Sequence, residues 1–162
     1  MTSDKIRWGI VATGNIAGQF ATDLKQSHSG VLAGAASRQA ASARAFCETH
    51  GGTASDSYDA LLQRDDIDAV YIATPHNSHM AWTLKAMAAG KAVLCEKPLG
   101  LNHGEVLHLY GEAARRAAQR AMQGQAADGQ AAVSGLRGQR RHPTRAQAPS
   151  GALAVRRRAH RL

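Results

Sequence analysis

The 162-residue sequence has only two cysteines, Cys47 and Cys95, and they are far apart. Neither belongs to a metal-binding or redox-active spacing, so we expect free thiols in a reducing compartment. No run approaches the roughly 20 apolar residues that a membrane-spanning helix needs. The polar start MTSDK also lacks the apolar centre of a signal peptide. These absences predict a cytoplasmic protein that does not associate with membranes.

The charge of the chain is unevenly distributed. Residues 1–112 contain 9 Lys and Arg and 11 Asp and Glu, a net charge of −2, whereas residues 113–162 contain 11 Arg and one acid, a net charge of +10. The formal net charge of +8 therefore comes from the end of the chain. The length leaves room for one full-sized hydrophobic core, with a tail after it.

The last 50 residues lack lysine and aromatic residues and contain 14 Ala, 11 Arg, 6 Gln and 5 Gly. So few large apolar side chains cannot offset the conformational entropy that folding costs. Apart from two further helical turns to about Gln123, we predict disorder. The sequence is accordingly divided into a folded domain, residues 1–118, and an Ala/Arg-rich tail, residues 119–162.

Before the tail, short runs of β-branched residues alternate with segments of helical periodicity, which is typical of a parallel sheet covered by helices. A first helix begins near Asn15, and Met80, Leu84 and Met87 form the inward stripe of a later one. Asn102 is suited to cap the last helix, and Gly51 and Gly90 to end two others. The predicted strands are 5–11, 30–37, 68–74 and 91–98, and the other predicted helices are 39–51, 57–63 and 78–90.

The turn after the first strand consists of small residues. In GIVATGNIA, residues Ala12, Gly14 and Ala17 match the G-x-G-x-x-G/A dinucleotide pattern, with alanine at its first and third positions. Small residues there let the chain turn sharply, let a pyrophosphate approach the backbone N–H groups, and let the helix pack closely on the sheet. A tight turn in another kind of α/β protein is the alternative.

The end of the second strand indicates which dinucleotide is preferred. An NAD site usually has an acid there, which binds the ribose 2′-hydroxyl, whereas a basic residue accommodates a 2′-phosphate. Here Ser37 and Arg38 follow the strand, and no acid occurs from Gly30 through Cys47. The sequence therefore favours NADP over NAD, and an exposed strand-end arginine without this role is the alternative.

Two further motifs, ATPHNSH (73–79) and CEKP (95–98), follow the third and fourth predicted strands. With the turn, they make residues 6–115 resemble the Gfo/Idh/MocA family of NAD(P)-dependent oxidoreductases, most of all its dihydrodiol dehydrogenase and glucose-fructose oxidoreductase branch. The resemblance implies an α/β fold with a Rossmann-type doubly wound parallel sheet. It also implies hydride transfer between a nicotinamide and a sugar, polyol or diol.

The resemblance implies a role for each motif residue. Lys97 matches the catalytic lysine of the family, and the following Pro98 restricts its backbone. Cofactor-binding roles fall on three groups of residues: Ala12, Thr13, Gly14, Asn15 and Ile16 at the pyrophosphate, Ser37 and Arg38 at the adenosine ribose and its phosphate, and Thr74, Pro75, Asn77, His79, Glu96 and Lys97 on the nicotinamide side.

The resemblance also implies a second α/β domain that supplies most of the substrate pocket, and we expect this sequence to lack it. We hypothesise a frameshifted or truncated gene product, because arginine without lysine and abundant alanine are typical of out-of-frame GC-rich DNA. Exposed sheet surface would then lead to self-association.

Three classes of function are weighed: an NADP(H)-dependent oxidoreductase, a catalytically inactive nucleotide-binding fragment, and a nucleic-acid-binding protein that uses the arginine tail. The third is disfavoured because the tail has no aromatic residue for base stacking and no recognisable motif, so no specific nucleic-acid partner is expected. No metal is expected either, since the spacings of His76, His79, His103 and His108 match no zinc pattern.

Overall fold

The computed structural model describes residues 5–128 and Ala154–Val155, with side chains for residues 5–122. Helices and strands alternate along most of it. They are β1 (Ile6–Val11), α1 (Asn15–Lys25), β2 (Gly30–Ala36), α2 (Ala40–His50), β3 (Thr53–Ser55), α3 (Tyr58–Leu62), β4 (Ala69–Ile72), a 3₁₀ turn (His76–Ser78), α4 (His79–Ala88), β5 (Ala92–Cys95), α5 (His103–Asp128) and β6 (Ala154–Val155).

The strands form one parallel sheet in the order β3-β2-β1-β4-β5-β6. The chain order reverses direction between β1 and β4, which is the switch point of a doubly wound sheet. The predicted Rossmann-type fold is confirmed. The three-residue edge strand β3 was not predicted, because so short a segment has too few residues to show an alternating pattern.

Helices cover both faces of the sheet. Alternate residues of a strand point to opposite faces, so Ile10 and Tyr71 pack under α1 and α2, while Val11 and Ile72 pack under α3, α4 and α5. Both apolar clusters lie against the central strands, and they fix the relative positions of the strand ends.

The helix boundaries predicted from capping residues agree with the structure. Gly51 and Gly90 follow α2 and α4 with φ of 93° and 77°. Asn102 Oδ1 accepts a hydrogen bond from the Glu105 N–H at 3.0 Å, and the Glu105 carboxylate accepts one from the Leu101 N–H at 2.8 Å. These reciprocal bonds form the N-terminal cap of α5.

The inward face of α4 differs from the predicted stripe. His79, Thr83, Ala86 and Met87 are buried on it, whereas Met80 and Leu84 are only half-buried at its margin. Polar His79 and Thr83 were not predicted to face inward, since helical periodicity considers apolar residues alone.

Helix α5 runs past the predicted boundary at residue 118 and past Gln123, and it ends at Asp128. Alanine is the strongest helix former, and two arginines of α5 bond to the end of α4: Arg116 to Met87 O at 3.1 Å and Arg120 to Gly90 O at 2.8 Å. The disorder predicted for the rest of the tail falls outside the described residues, except at the two residues of β6. No helix within the described ranges is long and apolar enough to span a bilayer.

Candidate functional site

The parallel register brings the predicted site segments to one edge of the sheet. Val11 pairs with Ala36 and with Ile72, and Ile72 pairs with Cys95. The segments that follow these residues, 12–16, 37–38, 73–79 and 96–97, therefore leave the sheet side by side. This carboxyl edge, at the switch point, is where doubly wound folds bind ligands.

The turn after β1 has the geometry that a phosphate-binding turn needs. Ala12 adopts a left-handed conformation (φ 78°), and its N–H donates to Ala36 O at 3.0 Å. Gly14 precedes α1, and a Cβ placed on it would meet no atom within 4 Å. Ala17 is fully buried against the sheet. Thr13 and Ile16 are half-buried beside the turn, and Asn15 is exposed.

The first turn of α1 carries neither an acid nor a capping side chain. Its N–H groups therefore remain available to an anion, at the positive end of the helix dipole. The cleft beside this point is lined by Thr13, Gly14 and Gly18 and also by larger side chains, among them Phe46 and His50.

Ser37 and Arg38 follow β2, the first half-buried and the second exposed. A residue that the sequence analysis did not single out, Tyr58, joins them. Burial raises the pKa of the Tyr58 phenol, while the positive charge of Arg38 and a hydrogen bond from its backbone act in the opposite direction. The ring of Tyr58 packs edge-on against Trp82, with centroids 4.8 Å apart.

The segment after β4 combines exposed and buried polar groups. Pro75 and Asn77 are exposed in the 3₁₀ turn. Thr74 is buried, and its hydroxyl has no hydrogen-bond partner within the described part of the chain. A buried hydroxyl without a partner costs free energy, so it marks a place where a ligand atom would satisfy it.

His79, at the start of α4, is buried between two backbone carbonyls. Its Nδ1 lies 2.6 Å from Pro98 O and its Nε2 lies 2.8 Å from Thr74 O. The imidazole thus links the segment after β4 to the segment after β5. His79 was predicted on the nicotinamide side, and the structure buries it between these two segments.

Glu96 and Lys97 leave the end of β5. Glu96 is buried, its N–H donates to Ile72 O at 3.0 Å, and its carboxylate accepts a hydrogen bond from the Tyr71 hydroxyl. Lys97 is exposed at the edge of the sheet, and the Lys97–Pro98 peptide is cis. Tyr71 was predicted only as a strand residue, although a tyrosine in an otherwise apolar central strand is a signal, because its hydroxyl needs a partner.

The two cysteines are buried free thiols. Burial raises the pKa of Cys95 to about 11, an effect that the neighbouring Glu96 charge reinforces and a hydrogen bond with Thr83 opposes. Burial also raises the pKa of Cys47. Both thiols therefore stay protonated at neutral pH and are poor nucleophiles. Within residues 5–122, no three His, Cys, Asp or Glu side chains approach closely enough to hold a metal ion.

The residues of this edge fit a dinucleotide. The uncapped N-terminus of α1 and the open space at Gly14 suit a pyrophosphate. The unsatisfied Thr74 hydroxyl and the buried Glu96 carboxylate suit the hydroxyl and amide groups of a nicotinamide riboside.

Comparison with known proteins decides the family. Residues 6–124 match the family model of Gfo/Idh/MocA oxidoreductases, described as an NAD-binding Rossmann fold. The chain belongs to the Gfo/Idh/MocA family. The predicted resemblance is thereby confirmed, and the fold is an NAD(P)-binding one.

Several relatives in this family are dehydrogenases and ketoreductases. The chain is 42% identical over 115 residues to trans-1,2-dihydrobenzene-1,2-diol dehydrogenase of Bos taurus, an alignment that covers 68% of this chain and 34% of the relative. It is 48% identical over 81 residues to dTDP-3,4-didehydro-2,6-dideoxy-alpha-D-glucose 3-reductase of Streptomyces violaceoruber, covering 50% of this chain and 24% of the relative.

A solved structure of the family is also similar. The 3-ketoreductase KijD10 of Actinomadura kijaniata, in complex with NADP and TDP-benzene, matches with a TM-score of 0.69 and 36% identity, over 70% of this chain and 35% of that one. The chain thus spans about a third of the length of the relatives that it matches.

Proposed function

We propose that the chain binds NADP(H) at the carboxyl edge of its sheet, as the nucleotide-binding part of an oxidoreductase. The observation that carries this proposal is the alignment of the phosphate turn with the end of β2, where Arg38 stands and no acid is present. A relative with 36% identity is in complex with NADP, which supports the same cofactor.

The residues of the turn would hold the pyrophosphate through their backbone N–H groups. Ser37 and Arg38 would bind the adenosine ribose and its 2′-phosphate, which a guanidinium can engage with two parallel hydrogen bonds. The pyrophosphate residues are Ala12, Thr13, Gly14, Asn15 and Ile16, and those on the nicotinamide side are Thr74, Pro75, Asn77, His79, Glu96 and Lys97.

NADP(H), when bound, supplies or accepts the hydride. The exposed Lys97 side chain follows the end of β5. As an ammonium it would donate a hydrogen bond and then a proton to the substrate oxygen during reduction, and as a neutral amine it would take the proton that this oxygen loses during oxidation. Thr74 would orient the nicotinamide with its free hydroxyl, and Glu96 would accept from the nicotinamide ribose.

The proposed substrate is a small sugar, polyol or diol. Relatives named for a dihydrobenzene diol and for a dideoxyglucose derivative support this class. A catalytically inactive nucleotide-binding fragment is the second candidate, since the chain spans about a third of the length of these relatives. Self-association and a cytoplasmic location stay predictions, which sedimentation velocity and cell fractionation test.

Calorimetric titration with NADPH and NADH tests the cofactor, using wild type, Arg38→Ala and the exposed control Arg44→Ala. A lost charge-assisted hydrogen bond is worth about 1.5–3 kcal/mol, so Arg38→Ala should weaken NADPH binding at least ~10-fold. NADH binding should stay unchanged, and Arg44→Ala should match wild type with both nucleotides. Equal loss of both nucleotides in Arg38→Ala contradicts the assignment of Arg38 to the 2′-phosphate.

Turnover separates the two candidates. Oxidation of a trans-dihydrodiol or a polyol with NADP⁺, abolished by Lys97→Met, would establish the oxidoreductase. Nucleotide binding without turnover of any member of this substrate panel would favour the inactive fragment.

A further inference from the structure

The carboxylate of Glu96 is held from inside the sheet. Tyr71 is fully buried in β4, and its hydroxyl donates a hydrogen bond to Glu96 Oε1. This is the one side-chain hydrogen bond that Glu96 makes within the described part of the chain. Burying a carboxylate is costly unless it is hydrogen-bonded, and the tyrosine hydroxyl meets part of that cost.

The register of the sheet explains how the two side chains meet. Tyr71 pairs with Leu94 of β5. Glu96 lies two residues beyond Leu94, so both side chains point to the face covered by α1. A tyrosine is long enough to reach this diagonal neighbour, whereas a shorter polar side chain at position 71 would not be.

The ring of Tyr71 is itself held by aromatic packing. Phe20 of α1 stacks on it, with centroids 4.1 Å apart and planes 21° apart. Trp8 of β1 packs edge-on against Phe20 at 5.3 Å. The ring is therefore fixed by the same helix whose N-terminus forms the phosphate turn, which ties the direction of the hydroxyl to that turn.

One oxygen of Glu96 remains available to a ligand. Tyr71 engages Oε1, while Oε2 has no hydrogen-bond partner among the described residues and is not sealed from solvent. A carboxylate with one oxygen fixed and the other open at the edge of the sheet suits a hydroxyl donor.

We propose that Tyr71 is a positioning residue, which holds Glu96 so that its open oxygen accepts a hydrogen bond from the nicotinamide ribose. The proposal rests on the proposed binding of NADP(H) and adds a residue to its site. Tyr71 touches no ligand itself, and it acts through Glu96.

The test compares NADPH with 2′,5′-ADP, which has the adenosine and its 2′-phosphate but no nicotinamide ribose. Both are titrated into wild type, Tyr71→Phe and the exposed control Tyr110→Phe. Losing a hydrogen bond to a charged group should weaken NADPH binding ~10-fold in Tyr71→Phe. Binding of 2′,5′-ADP should stay within twofold of wild type, and Tyr110→Phe should change neither.

A double-mutant cycle completes the design. In a Glu96→Ala background, Tyr71→Phe should have no further effect on NADPH binding, because the group that it positions is gone. The phenylalanine keeps the stack on Phe20. Urea unfolding of each variant measures its free energy of unfolding and so shows whether the core has been destabilised.

The results that contradict the positioning role differ from the result that contradicts NADP(H) binding. Equal weakening of NADPH and 2′,5′-ADP in Tyr71→Phe, an undiminished effect in Glu96→Ala, or unchanged NADPH binding would overturn the positioning role. Failure of wild type to bind either nucleotide would instead refute the proposed function itself.

Discussion

Single residues at the carboxyl edge act by joining segments that are distant in the sequence. His79 contacts carbonyl oxygens of Thr74 and Pro98, and Tyr71 contacts Glu96. The contacts of His79 link the segment after β4 to the segment after β5, and the contact of Tyr71 links β4 itself to that second segment, which carries Lys97. The side chains that shape the site are therefore buried beneath it, while Arg38 and Lys97 are exposed at its surface.

Replacing His79 should destabilise the fold as well as the site. His79→Leu removes the hydrogen bond that the imidazole N–H donates to one of the two carbonyl oxygens and the polar contact with the other, so we expect a loss of about 1–3 kcal/mol in the free energy of unfolding. Urea denaturation measures it. His76→Leu, at an exposed position in the preceding turn, should change the free energy by less than about 0.5 kcal/mol. Equal effects of the two changes would contradict the linking role.

Asp68 should make stability depend on acid pH. Hydrogen bonds from the side chain and then the backbone of Arg7 lower the pKa of Asp68 from 3.8 to about 2. Because the folded-state pKa lies below the unfolded-state value, this contribution is fully present above about pH 4 and is lost as the pH falls towards 2.

Urea midpoints measured between pH 2 and pH 6 check this dependence. Asp68→Asn should flatten the profile at its acid end. The pH dependence that is due to Asp66 should remain, because a hydrogen bond from Arg64 lowers the pKa of Asp66 independently. Asp56→Asn, at an exposed position without an ion pair among the described residues, should leave the profile as in wild type. A wild-type slope retained in Asp68→Asn would show that Asp68 does not contribute.

At the scale of elements, the best-predicted features have a local cause. The caps of α2, α4 and α5 follow from Gly51, Gly90 and Asn102, whose preferences operate within a few residues. The short β3 does not follow from local preference, and the extension of α5 through Asp128 follows from it only in part, through the helix preference of alanine. β3 depends on pairing with β2, and α5 is held as far as Arg120 by the hydrogen bonds of Arg116 and Arg120 to the end of α4.

The turn between β1 and α1 allows binding to be separated from folding. Gly14 has an ordinary φ of −78°, and an added Cβ would meet no protein atom within 4 Å. Gly14→Ala should therefore change the free energy of unfolding by less than about 1 kcal/mol. NADPH binding should weaken strongly, because the methyl group would stand where the pyrophosphate approaches the backbone.

Calorimetry and urea unfolding on the same preparation test this separation. Gly111→Ala in α5, where an added Cβ also has open space, is the control and should bind NADPH as wild type does. Unchanged NADPH affinity in Gly14→Ala would place the pyrophosphate elsewhere.

For the whole molecule, the sheet and the helices on its two faces form the carboxyl edge from described residues alone. Apolar clusters lie on both faces of the central strands. The exposed large apolar side chains of residues 5–122 lie elsewhere: at the strand positions Ile6 and Val31, and at Leu101, Leu107, Tyr110 and Met122 before or within α5. Self-association, if it occurs as predicted from the sequence, would use these positions rather than the centre of the sheet.

Cofactor binding should stabilise the entire chain. A ligand that binds only the folded state at 100 times its Kd adds about 2.7 kcal/mol, so the thermal midpoint should rise with NADPH concentration. Differential scanning calorimetry measures the rise, and equal concentrations of NADH should give a smaller one. Identical midpoints with and without NADPH would show that the folded chain does not bind this nucleotide.

The sequence by itself determined the order of strands and helices to β5 apart from β3, the tight turn between β1 and α1, the helix caps and the family, because each depends on local preference or on a contiguous motif. Only the tertiary structure decided which side chains meet: Tyr71 with Glu96, Tyr58 with Arg38, and His79 with two carbonyl groups. These contacts depend on strand register and on the packing of α1 and α4, which bring together residues up to 25 positions apart. Hydrophobic periodicity records that a face is buried, but the partner of a buried polar group is settled only when the sheet assembles.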